Sequence, residues 1–236
     1  MTFAWLLLAT PAYAGDVLVL NTGVRMPYTQ PDRSGFLDRL VAEAFSRIGK
    51  KAEVQVYEAS ERAMQNANGG IDDGIAMRIK GLEAQYPNLI RVPEKVIDND
   101  FVAYSRKTNF PTPSWNALAP FNVAYIIGWK IFENQLGEHK HVTRVRSAEQ
   151  HFELLRHART DTVLYERWQG LWWSREMGIG AHPHGPPLAS QEMFIYLHSK
   201  HEALVAKVAA ALSAMKRDGT YQRIYRETLT PLTARH

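Results

Sequence analysis

Residues 16–77 alternate apolar runs with helix signals, and that alternation restricts this chain more than any other feature. Residues 16–20 form a continuous apolar run that reads as a strand, and the turn-rich stretch 21–34 follows. Residues 35–48 read as a helix. Phe36, Leu37, Leu40, Val41, Ala44, Phe45 and Ile48 fall on one stripe at helical spacing, and Gly49 supplies the C-terminal cap. Residues 52–57 are a second strand. Ser60 can cap a short helix that runs to Gly69-Gly70, and residues 71–77 are a third strand. Parallel strands need crossover connections, so strand-helix-strand-helix-strand predicts a mostly parallel sheet with helices on its faces.

Beyond this unit, residues 89–92 and 101–105 read as strands, with Pro93 stopping the first. The polar, proline-containing stretch 109–113 is the best candidate boundary. A second unit of the same kind follows, with strands at 121–127, 142–145 and 161–165 and helices at 129–136, 147–158 and 167–177. Ser147 and Gln150 form a capping box for the middle helix. Gly185-Pro186-Pro187 marks a return crossing, and residues 194–197 are a last strand. A long helix opens at Ser199 with Glu202, a second capping box, and carries the stripe Leu204, Val208, Ala211, Leu212 and Met215. Asp218-Gly219 ends it, and 221–229 form a final helix.

Two strand ends in the second unit suggest a pocket. Gly128-Trp129-Lys130 closes one apolar run and opens a helix, offering backbone N–H groups to an anion. The run 161–165 ends in Glu166, an acid at the close of a buried strand. Small ligands of open α/β sheets bind beyond the carboxyl ends of the strands. For Glu166 the plainer alternative is a carboxylate favoured by a helix start. For Gly128 it is a tight turn.

Charge and chemistry narrow the classes. The formal charge of +4 comes without a dense Lys/Arg run, so no nucleic-acid partner is expected. There are no cysteines, which excludes a disulfide framework, a thiolate metal site and a Cys nucleophile. His182-x-His184 lacks a nearby third ligand, so no metal and no cofactor are expected. Trp168 and Trp172 share a helix face and read as packing. Phe3 to Ala9 is a short apolar run followed by Ala12-Tyr13-Ala14, which reads as a signal peptide over 1–14 and a periplasmic location. No Lys or Arg precedes the run.

Several motifs carry a family resemblance. Gly35-Phe36 with Leu40 and Gly49, Gly70-Ile71-Asp72, the strand from Asp161 to Glu166, and Lys216-Arg217-Asp218-Gly219-Thr220-Tyr221 with Ile224 and Tyr225 stand in that order. The chain thereby resembles the periplasmic solute-binding proteins of ABC importers, in particular the polar-amino-acid family, family 3, over nearly all of its length past residue 14. The resemblance implies an α/β, two-lobed periplasmic-binding-protein type II fold, each lobe a mostly parallel sheet flanked by helices, with two hinge strands. Lobe 1 is expected over 15–104 with 194–236, and lobe 2 over 105–193 including the crossings. Ligand would be closed between the lobes by hinge bending.

The resemblance also implies a set of ligand contacts. Glu166 aligns with the family's acid for a ligand ammonium, and Tyr28 in Met26-Pro27-Tyr28 with its aromatic lid. Trp129 stands where the family has Thr or Ser and could form a second wall. Ala84 occupies the place of the family's carboxylate-binding Arg. Arg78, at the end of the third strand, is the candidate replacement, able to hold a carboxylate through two parallel N–H···O bonds. The plainer alternative for Arg78 is a surface residue near Glu83. Glu58, just past the second strand, is a further candidate contact, with capping of the following helix as its plainer alternative, and Gly128 and Lys130 complete the expected set.

The expected function is capture of a small zwitterion or carboxylate, an amino acid or derivative, by a monomer that delivers it to an inner-membrane ABC permease. No catalysis is expected. Two competitors stand beside it: a cyclohexadienyl dehydratase-like enzyme on the same scaffold, and a detached ligand-sensing module.

Overall fold

The computed structural model describes residues 17–107 and 109–234. The apolar run and small-x-small site at residues 1–14 lie outside them. In chain order the elements are β1 (Leu18–Thr22), α1 (Phe36–Ser46), β2 (Ala52–Val56), α2 (Ser60–Asn68), β3 (Gly74–Ile79) and β4 (Leu89–Ser105). Then come β5 (Val123–Ile126), α3 (Lys130–Gln135), β6 (Val142–Val145), α4 (Ala148–Arg156), β7 (Thr162–Glu166) and α5 (Arg167–Glu176). The short β8 (His182–Pro183), β9 (Ala189–His198), α6 (Glu202–Arg217) and α7 (Thr220–Thr228) complete the chain.

The strands lie in the order β2-β1-β3-β9-β4-β7-β5-β6, with β8 alongside β4. β1 runs parallel to both β2 and β3, and β5 runs parallel to both β6 and β7. Between these two parallel trios lie β4 and β9, antiparallel to each other. β9 pairs with β3 and β4 with β7, so the two long strands tie the trios together.

The apolar stripe of α1 explains the first core. Phe36, Leu37, Leu40, Val41, Ala44 and Phe45 are all fully buried. They meet Leu20, Met77, Ile195 and the inner faces of α6 and α7. Each large apolar side chain so buried stabilises the fold by about 1.5–3 kcal/mol. On the opposite face, α2 lays Met64 and Ala67 over Ile75, Phe194 and Tyr196. The second trio has its own cores. One gathers Tyr104, Phe152, Val163 and Tyr165. The other gathers Phe101, Leu118, Tyr125 and Phe132 on the other side of the sheet.

Five elements differ from expectation. Pro93 does not stop its strand: β4 runs 17 residues through it. The register with β9 shifts between Arg91 and Lys95, so the missing N–H falls at an irregularity where no ladder bond is needed. β3 begins at Gly74, not Ile71, because Asp72 and Asp73 are occupied holding the turn. Asp73 Oδ2 accepts from Val19 N at 2.8 Å, and Asp72 Oδ2 accepts from Asn21 Nδ2 at 2.7 Å. The long C-terminal helix begins at Glu202. Residues Ser199–His201 form a 3-10 turn capped by His198, whose Nδ1 accepts from Lys200 N at 3.1 Å. At α4, Ser147 Oγ accepts from Gln150 N at 3.2 Å, but the Gln150 side chain accepts from Arg146 N and not from Ser147. α2 starts one place earlier than a Ser60 cap allows, with Ala59 at its cap position.

A buried histidine gives the fold a pH dependence. His151 is fully buried, its Nε2 lies 2.9 Å from Ala124 O, and its Nδ1 has no partner among the described residues. Burial pushes its pKa down to about 4. The unfolded chain therefore binds a proton from about pH 6.5 downward that the folded chain refuses. The stability this group contributes is complete above pH 6.5 and is lost as pH falls towards 4. Between pH 7 and pH 5 the loss should be about 2 kcal/mol, at about 1.36 kcal/mol per pH unit. Urea unfolding of His151→Gln beside the wild type should remove that part of the slope. An unchanged difference between the two proteins across this range would contradict it.

Candidate functional site

The carboxyl ends of β1 and β3 lie side by side, and α2 crosses over them. β3 is irregular between Ile75 and Arg78. Ala76 and Met77 both face the α1 core, while Ile75 faces α2. The irregularity returns Arg78 to the α2 side, an example of a bulge re-aiming a side chain. There it lines a small recess with Asn21, Thr22, Gly23, Ala63 and Met64. The recess has room for a group about the size of a water molecule.

Arg78 is half-buried and, among the described residues, forms no hydrogen bond or ion pair. Burial holds its guanidinium below the usual arginine range, and Tyr86 and Glu61 act against that shift. Glu61 is itself occupied by Tyr86 Oη and Gln65 Nε2, each at 3.2 Å. Glu83, the expected surface neighbour, lies instead 3.6 Å from Arg91. Arg91 in turn stacks over Phe194, 4.8 Å from the ring centre.

Glu166 sits elsewhere. It is fully buried, and all its accepting capacity faces the protein. Oε1 accepts from Tyr28 Oη at 2.9 Å and from Trp168 N at 3.0 Å, and Oε2 accepts from Gln169 N at 2.8 Å. The acid therefore caps α5 and ties it to the loop after β1. Burial is the largest influence on its carboxyl and raises the pKa to about 7, against hydrogen bonds from the Trp168 and Gln169 backbone and from the Tyr28 and Gln169 side chains. Tyr28 is also fully buried, packs edge-on to Phe36, and lies 3.4 Å from Asn99 Oδ1 on β4. The expected lid and the expected ammonium site are thus partners of each other, and neither side chain is open to solvent.

The sheet register separates Arg78 from Glu166. Arg78 stands opposite Phe194 on β9, while Glu166 stands opposite Phe101 on β4, whose β9 partner is Ala189. Three strand spacings and five residues along β9 place the two Cα atoms roughly 20 Å apart. That exceeds what the adjacent charges of an α-amino acid can bridge.

The remaining candidates are likewise dispersed. Gly128 N donates to Glu133 Oε1 at 2.7 Å, and Glu133 Oε2 accepts from Lys130 Nζ at 2.6 Å. The amide expected to meet a ligand anion is already capped by the protein's own carboxylate, and α3 spans only six residues. Trp129 is half-buried, stacked on Tyr165 with ring centres 4.7 Å apart and on Phe132 at 5.6 Å. Glu58 is exposed and pairs with Arg25 at 3.1 Å. His184 Nε2 lies 2.8 Å from Ser105 Oγ, and Trp168 packs edge-on to Tyr225. Among the described residues no group of three or more His, Cys, Asp or Glu could hold a metal ion.

Of the expected contacts, the recess keeps Arg78 alone. It adds Asn21, which sequence reasoning passed over. The available signal was a polar amide closing an apolar strand run, at a carboxyl end where ligands gather.

No protein-family model matches the sequence. A curated relative, an uncharacterized protein of Shewanella oneidensis, is 23% identical over 200 residues, 78% of this chain and 72% of that protein. Among solved structures, the GluR0 ligand-binding core from Nostoc punctiforme in complex with L-glutamate superposes with a TM-score of 0.70. It is 20% identical and covers 89% of this chain and 98% of its own. A histidine kinase sensor domain with similarity to periplasmic binding proteins gives 0.70 at 16% identity, over 90% and 95% of the two chains. An ancestral arginine-binding protein bound to arginine gives 0.69 at 18%, over 90% and 97%. These likenesses show the fold: a two-lobed periplasmic-binding-protein architecture, as the order of motifs predicts.

Proposed function

We propose that this protein is a binding module, without catalytic chemistry, that captures a small polar carboxylate at the first-lobe recess. The observation that carries the reading is Arg78, a half-buried guanidinium without a protein partner among the described residues, at the carboxyl ends of two parallel strands. A charge taken partly out of water and left unpaired has a cost that a bound anion offsets. The neighbours support the class of ligand, since one holds L-glutamate and another arginine. Periplasmic capture by a monomer, followed by delivery to an ABC permease, is the role in best accord with the N-terminal run and the order of motifs. A sensing role is the second reading, favoured by the likeness to a histidine kinase sensor domain at the same TM-score as the GluR0 core.

A thermal-shift screen of small carboxylates, amino acids and polyamines tests the proposal. A ligand at about a hundred times its dissociation constant adds about 2.7 kcal/mol. For a chain of this size that raises Tm by roughly 5–10 °C. Stabilisation confined to carboxylate-bearing compounds is expected. Stabilisation by polyamines alone, or by nothing in the panel, would overturn the proposal.

A further inference from the structure

The two lobes meet at a buried contact between side chains 138 residues apart. Tyr28, in the loop after β1, packs in the first core, while Glu166 closes β7 in the second trio. Both are fully buried, and Tyr28 Oη donates to Glu166 Oε1 at 2.9 Å. The hydroxyl has a second acceptor within reach, Asn99 Oδ1, but that oxygen lies farther away, at 3.4 Å. Trp168, two residues on in α5, crosses the same boundary. It is buried in the first core and packs edge-on to Tyr225 of α7, with ring centres 5.4 Å apart. Parting the lobes here therefore breaks the Tyr28–Glu166 bond and uncovers the Trp168 ring together.

The titratable groups around Glu166 are Tyr28 from the β1 loop, Tyr104 from β4, Tyr165 from β7 and Tyr225 from α7. Burial holds all four hydroxyls above the usual tyrosine range. Arg167, the next residue, is paired with Asp100 Oδ2 at 3.1 Å. The tyrosines keep their protons, so the proton that comes and goes near neutral pH is that of Glu166, lifted to about 7 by burial. We propose that Tyr28, Glu166 and Trp168 form an interlobe latch, shut while Glu166 holds its proton and loosened when the carboxyl ionises. Opened, Glu166 meets water and returns to the ordinary value of 4.5. The shut form then binds the proton more tightly, and opening becomes easier as pH rises from 4.5 to 7. Between pH 5.5 and 7.5 the opening constant should rise about twenty-fold. The latch involves no ligand, so it stands or falls apart from the capture reading.

Hydrogen exchange of the Trp168 indole N–H, followed by NMR, tests this on the full chain without ligand. That resonance is assigned by its loss in Trp168→Phe. The amides of Leu40 and Val163, one in each lobe's core, report global unfolding. After correction for intrinsic rates, the indole should open more often than either amide. Its exchange in the wild type relative to Glu166→Gln, a ratio free of the intrinsic pH dependence, should grow about twenty-fold from pH 5.5 to 7.5. Tyr28→Phe keeps the ring and loses the hydroxyl, and at pH 5.5 its indole should exchange up to about tenfold faster than the wild type's. An indole that opens no more often than the core amides would show that the lobes part only by unfolding, and the latch falls. A Glu166→Gln profile that follows the wild type at every pH, or a Tyr28→Phe rate equal to the wild type's, would make the contact a static joint and also overturn the proposal.

Discussion

Replacing Arg78 with alanine should weaken binding of the carboxylate found by thermal shift by roughly a hundred-fold or more, while leaving the Tm of the free protein unchanged or slightly raised. The two halves of this expectation share one cause. Hydrogen bonds to charged groups contribute about 1.5–3 kcal/mol each, and a guanidinium can make two to a carboxylate. Loss of about 3 kcal/mol corresponds to about two powers of ten in Kd. Within the free protein, however, Arg78 forms no hydrogen bond or ion pair among the described residues, and burial works against its charge. Its removal therefore takes away no folded-state bond. Calorimetry with the wild type, Arg78→Ala and Arg78→Lys separates charge from geometry, since lysine keeps the charge and loses the two-pronged bond. Binding that withstands the alanine change, or a large fall in Tm, would contradict this account of the residue.

The second large effect is on stability. Glu166→Gln should become more stable than the wild type above pH 7, by on the order of 3 kcal/mol, and match it to within about 1 kcal/mol near pH 4.5. The sign follows from a folded pKa of about 7 lying above the unfolded value of 4.5. The folded chain holds this proton more tightly, so the group's contribution is complete below pH 4.5 and is lost as pH rises through 7. Glutamine never ionises and keeps Oε1 as the acceptor for Tyr28 and Trp168, but its Nε2 cannot accept from Gln169 N, and that lost bond reduces the gain by about 1 kcal/mol. The surroundings point the same way: Tyr104, Tyr165 and Tyr225 all feel the Glu166 charge and are themselves pushed to higher pKa chiefly by burial. His151 has the opposite slope at lower pH, so the two variants should alter different limbs of the profile. A constant difference between Glu166→Gln and wild type from pH 4.5 to 9 would contradict the assignment.

Much of the fold was legible because periodicity reports burial. The α1 stripe, the strand end at Glu166 and the terminal helices follow from patterns that a parallel sheet requires, whereas β1 runs on to Thr22, two residues past the apolar run 16–20. The 17-residue β4 was not legible, since proline normally ends a strand and only the local register shift lets Pro93 pass. The site was harder to read. An acid at a buried strand end has two readings, ligand contact and helix cap, and the sequence does not contain the tertiary fact that decides between them. Here Tyr28, distant in sequence, reaches Glu166 across the sheet. Gly128 was likewise undecidable until Glu133, five residues on, was seen to fold back on its amide. Asn21 escaped notice because its place beside Arg78 in the recess depends on how β1 and β3 pair, which only coordinates reveal.

The most direct measurement follows the Arg78 side chain itself while ligand is added. In a proton–nitrogen NMR titration of the full chain, the Arg78 Nε–H resonance, assigned by its absence in Arg78→Lys, should shift with the ligand and saturate at the calorimetric Kd. A ligand that binds tightly while that resonance stays in place would show that the anion is held elsewhere.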